Sequence, residues 1–196
     1  MIKDSYQLEA FLKPLSAIQS LMRKAGCPWV IIGGVAAGLL GKPRFTADVD
    51  LVAVIEDKGI GKLLKACRQY GLNPRISQAY EFAKKNRVLL LKHRESGIHV
   101  DISLGILPFE KEAIKNSKKY KINDVTIYLP RPEDLIIFKS VANRPQDIID
   151  IGEIIKRNPK INRAYLKKRI KEFARILEMP EIWDKVCELL NRDLRR

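Results

Sequence analysis

The sequence predicts an α/β (α+β) fold, in which a small mixed sheet is flanked by helices and followed by a helical extension. Two observations predict it. Up to residue 129, short apolar or alternating runs that suit strands are separated by stretches with helical spacing. From Pro132 onwards the apolar residues repeat with helical spacing only. We therefore expect two parts, residues 1–129 with an N-terminal helix and a helical part over 130–196.

The first part begins with an amphipathic helix over 4–25, which Gly26 and Pro28 end. Further elements follow in order: a strand over 29–32, a helix over 35–40, a strand over 48–54, a helix over 58–70, strands over 87–92 and 99–104, a helix over 108–115, and strands over 120–122 and 125–129. Polar turns at 94–97 and 123–124 join the last two strand pairs, which predicts two hairpins.

Prolines divide the second part into helices. Pro132 and Pro145 suit the first turns of two helices, because proline lacks the N–H that such a turn leaves unpaired. Pro159 and Pro180 separate two further helices, near 162–177 and 180–193.

Composition narrows the classes of function. The 196 residues include 37 Lys and Arg against 23 Asp and Glu, a net charge of +14 that favours a polyanionic partner such as nucleic acid or a nucleotide. No apolar run approaches the roughly 20 residues of a membrane helix, and the N-terminus does not resemble a secretory signal. Three widely spaced cysteines argue against structural zinc and suit a reducing compartment, so we expect a cytoplasmic protein with no membrane partner.

Carboxylates on two predicted strands form the strongest candidate site. Asp48 and Asp50 are two residues apart, so their side chains share one face, with Cα atoms roughly 6.5 Å apart. Such neighbours repel unless a cation lies between them, and Mg²⁺ prefers oxygen ligands. If the strand that carries Asp101 is adjacent, all three acids converge and can hold the two metals of a phosphoryl transfer. Alone, an Asp-x-Asp pair is usually a solvated strand face.

A glycine pair precedes these acids. Gly33 and Gly34 follow an apolar strand and open a short helix, where backbone N–H groups can bind a phosphate. The alternative is a tight strand-to-helix turn without a ligand.

Together these motifs resemble the minimal nucleotidyltransferases of the DNA-polymerase-β-like superfamily. The residues that carry the resemblance are Gly33-Gly34, Arg44-x-Thr46-x-Asp48-x-Asp50 and Asp101. The segment 132–150, with Lys139, Arg144 and Asp147, resembles the AbiEii-type, toxin-like branch. The resemblance covers roughly residues 29–155. Many members have Ser where Gly34 stands, although glycine there is also typical of the AbiEii-type branch.

The resemblance implies roles for these residues. Asp48 and Asp50 would bind two Mg²⁺ ions, with Mn²⁺ as a substitute, and Asp101 would be a third ligand or the base. Lys139 would contact nucleotide phosphates, and Asp147 would orient nucleotide, acceptor or metal. The implied nucleotide-binding set is Gly33, Gly34, Arg44, Thr46, Lys139 and Arg144. Without the resemblance, Lys139 could extend to solvent and Asp147 could serve the helix dipole.

The implied reaction moves a nucleoside monophosphate from an NTP to an acceptor hydroxyl and releases pyrophosphate. RNA, for example a tRNA 3′ end, is the favoured acceptor, and a protein hydroxyl is the second. As a toxin-type enzyme, the chain would also have an antitoxin protein as partner.

A basic stripe lies downstream, in the predicted helix near 162–177 and the segment before it. Its candidate nucleic-acid contacts are Lys160, Arg163, Lys167, Lys168, Lys171 and Arg175. Such a stripe can follow a phosphate backbone without sequence preference, or it can simply be a solvated helix face.

Three alternatives stay open at this point. The turn at 31–38, with Glu56 about 20 residues further on, also resembles the dinucleotide-binding turn of an oxidoreductase, although Val35 stands where the second glycine belongs. A catalytically idle RNA- or nucleotide-binding module on the same scaffold is the second alternative. The third is transfer to a small molecule such as an aminoglycoside.

Overall fold

The computed structural model describes residues 5–193. The described residues leave out 1–4 at the start of the first predicted part and 194–196 at the end of the second. The first residue of the predicted N-terminal helix, Asp4, therefore lies outside the described residues. The described chain forms two compact units. The sheet unit comprises the residues up to Val35 together with Phe45–Pro130, and the helical unit comprises Ala36–Arg44 together with the residues from Arg131 onwards.

The sheet unit is built from both helices and strands. In chain order they are α1 (Ser5–Ala25), β1 (Trp29–Ile32), α2 (Gly33–Leu40, which continues into the helical unit), β2 (Asp48–Ala53), α3 (Asp57–Cys67), β3 (Leu72–Pro74), α4 (Ala79–Asn86), β4 (Val88–His93), β5 (His99–Leu104), α5 (Pro108–Lys115), β6 (Lys118–Ile122) and β7 (Val125–Leu129).

Five of these strands form one mixed sheet in the order β1-β2-β5-β4-β3. β2 and β5 are parallel, whereas the other neighbouring pairs are antiparallel. β6 and β7 form a separate antiparallel hairpin. The mixed α/β fold class is thereby confirmed, as are both predicted hairpins.

The alternation of side chains along the central strands determines which face of the sheet packs against the core. Val49 and Leu51 of β2 and Val100 and Ile102 of β5 are fully buried. The residues between them point to the opposite face, because successive strand side chains alternate. The apolar half of each strand therefore anchors the sheet against its core and leaves the other face for polar side chains.

β3 and α4 were not predicted from the sequence. β3 has three residues, ends at Pro74 and pairs with β4 alone, which is the edge position where a strand tolerates proline. α4 has eight residues and ends at Asn86. It is capped by Arg87, whose φ of 57° is left-handed without the glycine that usually occupies such a position. Neither element carries a strong local signal.

The helical unit contains four longer helices, α6 (Pro132–Ala142), α7 (Pro145–Arg157), α8 (Arg163–Ile176) and α9 (Glu181–Asp193). Pro132 and Pro145 lie in the first turns of α6 and α7, as predicted. Two side chains at the end of α7 hold the end of α2: Asn158 Nδ2 donates to Leu40 O, and Arg157 Nη1 donates to Gly41 O, both at 2.8 Å. Within residues 5–193, no helix is long and apolar enough to cross a bilayer.

Candidate active site

Three carboxylates lie together on the exposed face of the central strands. Asp50 of β2 and Asp101 of β5 are direct partners in the parallel register, and Asp48 pairs with His99. Paired residues on neighbouring strands share a face, and so do residues two apart on one strand. Asp48, Asp50 and Asp101 are therefore adjacent on one face, and each is half-buried. The expectation that the two strands are neighbours is confirmed.

Gly33 accommodates the carboxylate of Asp50. Its φ is +63°, and a Cβ added there would overlap Asp50 Oδ2. A side chain at this position would be strained in backbone conformation and would displace the carboxylate. The glycine is thus needed at the junction of β1 and α2 because the acid of the next strand lies against its backbone.

Two polar side chains orient the outer acids. Thr46 Oγ1 donates a hydrogen bond of 2.9 Å to Asp48 Oδ1. Arg75 Nη2 donates to Asp101 Oδ1, and Arg75 Nη1 lies 3.2 Å from His99 Nδ1. Thr46 therefore touches one of the acids, and Arg75 is a partner that the sequence analysis did not anticipate, since it lies just beyond the missed strand β3.

The electrostatics of Asp101 reflect its crowded position. Burial raises its pKa above the usual range, Arg75 opposes this effect, and the negative charge of Asp48 adds to it. Burial and the charge of Asp48 both disfavour the ionised form of Asp101, and a nearby cation would offset both effects.

The donor set suits a hard divalent cation. Carboxylate oxygens are the ligands that Mg²⁺ and Mn²⁺ prefer. Across the described part of the chain, however, no group of three or more His, Cys, Asp or Glu side chains is arranged to hold a metal ion. Arg75 occupies Oδ1 of Asp101, so a cation shared with Asp48 and Asp50 would compete with Arg75 for this carboxylate.

A second polar cluster lies within the helical unit and contains most of the other predicted residues. Lys139 Nζ donates to Asp147 Oδ1 at 3.0 Å and to Asp150 Oδ2 at 2.6 Å, and all three residues are buried. Arg44 makes two bonds to Asp150, of 2.7 and 2.8 Å. Arg144 Nε donates to Asp147 Oδ2 at 2.7 Å. The cluster links the segment after α2 to α6 and α7.

This cluster keeps its two acids ionised. Burial by itself would raise the pKa of Asp147 and of Asp150, but hydrogen bonds from their cationic partners outweigh it and lower both pKa values. Lys139 is only 3% exposed, so it does not extend to solvent. Its ammonium group already serves two carboxylates, whereas the side chain of Arg144 is 70% exposed. No role was predicted for Asp150 from the sequence, and its partner Arg44 is distant in the chain.

The basic stripe lies on α8 and the segment before it. Its exposed members are Lys160, Lys167, Lys168, Lys171 and Arg175, whereas Arg163 is half-buried and donates to Leu190 O at 3.0 Å. The opposite side of α8 is buried at Leu166, Ile170 and Ala174, as the pattern indicated.

Tyr165, the aromatic residue within this stripe, is engaged by its own unit. The guanidinium of Arg131 lies 4.8 Å from its ring centre and that of Arg169 lies 5.7 Å away. Its hydroxyl donates to the buried Asp134 at 2.9 Å. The ring and the hydroxyl are therefore both used for packing within the helical unit.

The chain matches a known protein family over its second half. The family described as "Nucleotidyl transferase of unknown function (DUF2204)" matches residues 83–187, more than half of the chain. The chain belongs to this nucleotidyl transferase family. The matched region contains Asp101 and the Lys139–Asp147–Asp150 cluster, whereas Asp48 and Asp50 precede it. No curated protein sequence matches the chain.

Solved structures share the fold at low identity. The solution structure of the antibiotic-resistance factor ANT(2'')-Ia matches with a TM-score of 0.58 and 15% identity, over 91% of this chain and 96% of that one. A nucleotidyltransferase-like protein from Paracoccidioides brasiliensis matches with a TM-score of 0.55 and 17% identity, over 89% of this chain and 91% of that one. The lincosamide antibiotic adenylyltransferase LnuA matches with a TM-score of 0.52 and 18% identity, over 73% of this chain and 95% of that one. The chain therefore shares the fold of these solved structures, as expected.

The oxidoreductase alternative is wrong on topology. A dinucleotide-binding βαβ unit needs two parallel strands joined by its helix. Here β1 and β2, which flank α2, are antiparallel. Glu56 precedes α3 as an exposed residue. The glycine pair consequently belongs to a different kind of turn.

Proposed function

We propose that this nucleotidyl transferase moves a nucleoside monophosphate from an NTP to a hydroxyl of RNA, with Asp48, Asp50 and Asp101 as its catalytic acids. The observation that carries the proposal is the parallel register that sets Asp50 beside Asp101 on the open face of the sheet. A strand face with three carboxylates is an unfavourable arrangement for folding alone, because the charges repel.

The acids would hold Mg²⁺, for which Mn²⁺ can substitute. A bound divalent cation supplies positive charge that stabilises the phosphates and makes the attacking hydroxyl easier to deprotonate. The acceptor oxygen forms a bond to the α-phosphorus while the bond to the bridging oxygen of the β-phosphate breaks, and pyrophosphate leaves with that electron pair. Asp101, once released by Arg75, acts as the third ligand or accepts the hydroxyl proton.

Other residues position the nucleotide. The backbone at Gly33 and Gly34 opens the N-terminus of α2, where N–H groups favour a phosphate. Thr46 holds the carboxylate of Asp48 in one orientation. In the helical unit, Arg144 is an exposed cation suited to a phosphate, and Lys139 and Asp147 are positioning residues. Asp147 pairs with Arg144, and Lys139 pairs with Asp147 and with Asp150, the partner of Arg44.

RNA is the proposed acceptor because the chain carries a net charge of +14. The spacing of Lys139, Arg144 and Asp147 supports a place in the AbiEii-type, toxin-like branch. A toxin role would bring an antitoxin protein as partner, and co-purification with the product of a neighbouring gene tests it.

The experiment supplies pure protein with Mg²⁺, total RNA and each α-³²P-labelled NTP in turn. The proposal expects label in RNA with at least one NTP, and none with the Asp48→Ala, Asp50→Ala protein. Asp124→Asn is the matched control, because this exposed acid lies in the turn between β6 and β7. Label in RNA that persists in the double variant would contradict the proposal.

The same assay separates the two remaining alternatives. An idle binding module binds RNA or NTP in the wild type and transfers no label to RNA, protein or an added aminoglycoside. A small-molecule enzyme labels the aminoglycoside and leaves RNA unlabelled.

A further inference from the structure

A large cleft lies at the β3 edge of the sheet, within the sheet unit. Its volume is about 930 Å³, and it is bounded by α3, β3 and the segment that leads into α4. Its polar and aromatic lining residues include Lys65, Arg68, Asn73, Arg75, Ser77 and Tyr80. The cleft shares no residue with the basic stripe of α8, and none of its lining residues was among the functional residues predicted from the sequence.

The cleft carries positive charge. Lys65, Arg68 and Arg75 line it, and none of its lining residues is acidic. Lys65 and Arg68 are exposed. Arg75 is already paired with Asp101, which does not line the cleft. The two exposed cations beside it on one concave edge favour a ligand with several negative charges, such as successive phosphates of a nucleic-acid strand.

Arg75 joins the cleft to the acids. Its backbone N–H donates to Leu90 O at 2.9 Å, and Leu90 is the register partner of Asp101. Asp101 in turn pairs with Asp50. Arg75, Leu90, Asp101 and Asp50 therefore form one row across neighbouring strands, which runs from the cleft to the catalytic acids. The Arg75 side chain reaches back along this row to Asp101, and its Nε is buried with no hydrogen-bond partner among the described residues.

The two ends of this row suit two substrates. Asp50 lies against the backbone of Gly33, where the nucleotide phosphates are proposed to bind. The cleft lies at the opposite end, beyond Asp101. In-line displacement at phosphorus requires the attacking hydroxyl and the leaving group on opposite sides. A nucleotide near Gly33 and an acceptor entering from the cleft meet this requirement.

An aromatic side chain completes the cleft. Tyr80 is 40% exposed and packs near Gly61 of α3. A ring held at the wall of a positively charged groove offers a face on which a base can stack, whatever its identity. Phosphate binding and stacking together are the means by which proteins bind single strands without sequence preference.

We propose that the cleft lined by Lys65, Arg68, Arg75 and Tyr80 binds the single-stranded 3′ end of the RNA acceptor and directs its terminal hydroxyl to Asp101. The assignment rests on the proposed function, because it names where that reaction's acceptor binds. Arg75 lines the cleft and contacts Asp101, so it is placed to bind a phosphate of the acceptor near this acid.

Binding is measured first, with a 5′-fluorescein-labelled 12-nucleotide single-stranded RNA and no NTP. The Lys65→Glu, Arg68→Glu protein is expected to bind at least about tenfold more weakly than wild type. The slope of its logarithmic salt dependence should decrease in magnitude by about 0.7 for each RNA phosphate that the variant no longer neutralises. The matched control, Lys168→Glu, Lys171→Glu, makes the same change of charge on the α8 stripe and should weaken binding less than about threefold.

Tyr80 supplies a second test that leaves the charge unchanged. Tyr80→Ala should weaken RNA binding about tenfold, while Tyr80→Phe should bind as wild type does. An equal or greater loss of affinity in the α8 control, or full binding by the cleft variants, would overturn the assignment. So would a wild type that does not bind this RNA.

Transfer kinetics separate the cleft from the function itself. If wild type labels RNA, the cleft variants should raise KM for RNA and leave KM for the NTP unchanged. Unchanged RNA binding and KM in these variants would reject the cleft while the transfer reaction stands. RNA binding that depends on the cleft, in a wild type that transfers no label, would reject the proposed function instead.

Discussion

Asp50 and Asp101 are direct register partners on the parallel strands β2 and β5. A shift of one residue in either strand would turn one of the two carboxylates towards the core. The buried neighbours, Val49 and Leu51 on β2 and Val100 on β5, prevent that shift because it would expose them. The core of the sheet thus fixes which acids meet.

The close approach of Gly33 and Asp50 predicts a specific sensitivity. Gly33→Ala should lower transfer at least about a hundredfold, because the new Cβ would displace the Asp50 carboxylate. The positive φ adds a destabilisation of about 1–2 kcal/mol. Gly61→Ala is the control, since its Cβ would have room in a helix and should stabilise the protein slightly. Transfer rates and urea unfolding of both variants test this, and full activity in Gly33→Ala would refute it.

The buried Lys139 should be essential for stability. Lys139→Met removes one partner from both Asp147 and Asp150, and breaking such a buried pair costs about 3–5 kcal/mol. Lys156→Met, which breaks an exposed pair with Glu153, should cost less than about 1 kcal/mol. Chemical denaturation measures both values, and similar losses of stability in the two variants would argue against the role of the cluster.

The same cluster predicts how stability depends on pH. Burial raises the pKa values of Asp147 and Asp150, but their hydrogen bonds outweigh this effect and lower both pKa values in the folded state. Their stabilisation is therefore complete above the unfolded pKa, near 4, and is lost as pH falls through the lower folded values. The stability difference between wild type and Asp150→Asn should thus shrink between pH 5 and pH 3. A constant difference over that range would contradict the lowered pKa of Asp150.

Cation binding should be detectable without catalysis. Mg²⁺ in millimolar excess should raise the melting temperature of wild type, because a ligand that binds only the folded state stabilises it. The Asp48→Asn, Asp50→Asn protein should show no such increase, whereas Asp124→Asn should respond as wild type does. Equal shifts in all three proteins would show that the cation binds elsewhere.

Local patterns sufficed for most of the fold. Proline positions marked the starts of α6 and α7, and alternation marked β2 and β5. β3 could not be predicted, because three residues ending in Pro74 resemble a loop until a neighbouring strand supplies hydrogen bonds. That omission also hid Arg75 and the cleft at the β3 edge.

The candidate site was predicted in part for similar reasons. Alternation alone places Asp48 and Asp50 on one face, and the paired register adds Asp101. The hydrogen bonds between Arg44 and Asp150 span 106 positions, and no local pattern indicates them. Likewise, the sequence shows that Lys139 lies in an apolar helix but not that two acids bury it.

The most direct test measures RNA labelling by single variants at the acid pair. Asp50→Asn and Asp101→Asn keep the size of the side chain and remove its charge. Each should lower the transfer rate at least about a hundredfold, with an unfolding midpoint no lower than that of wild type, since charge repulsion is relieved. Asp124→Asn should leave the rate unchanged. Wild-type rates in Asp50→Asn or Asp101→Asn would contradict the assignment of this strand pair as the catalytic centre.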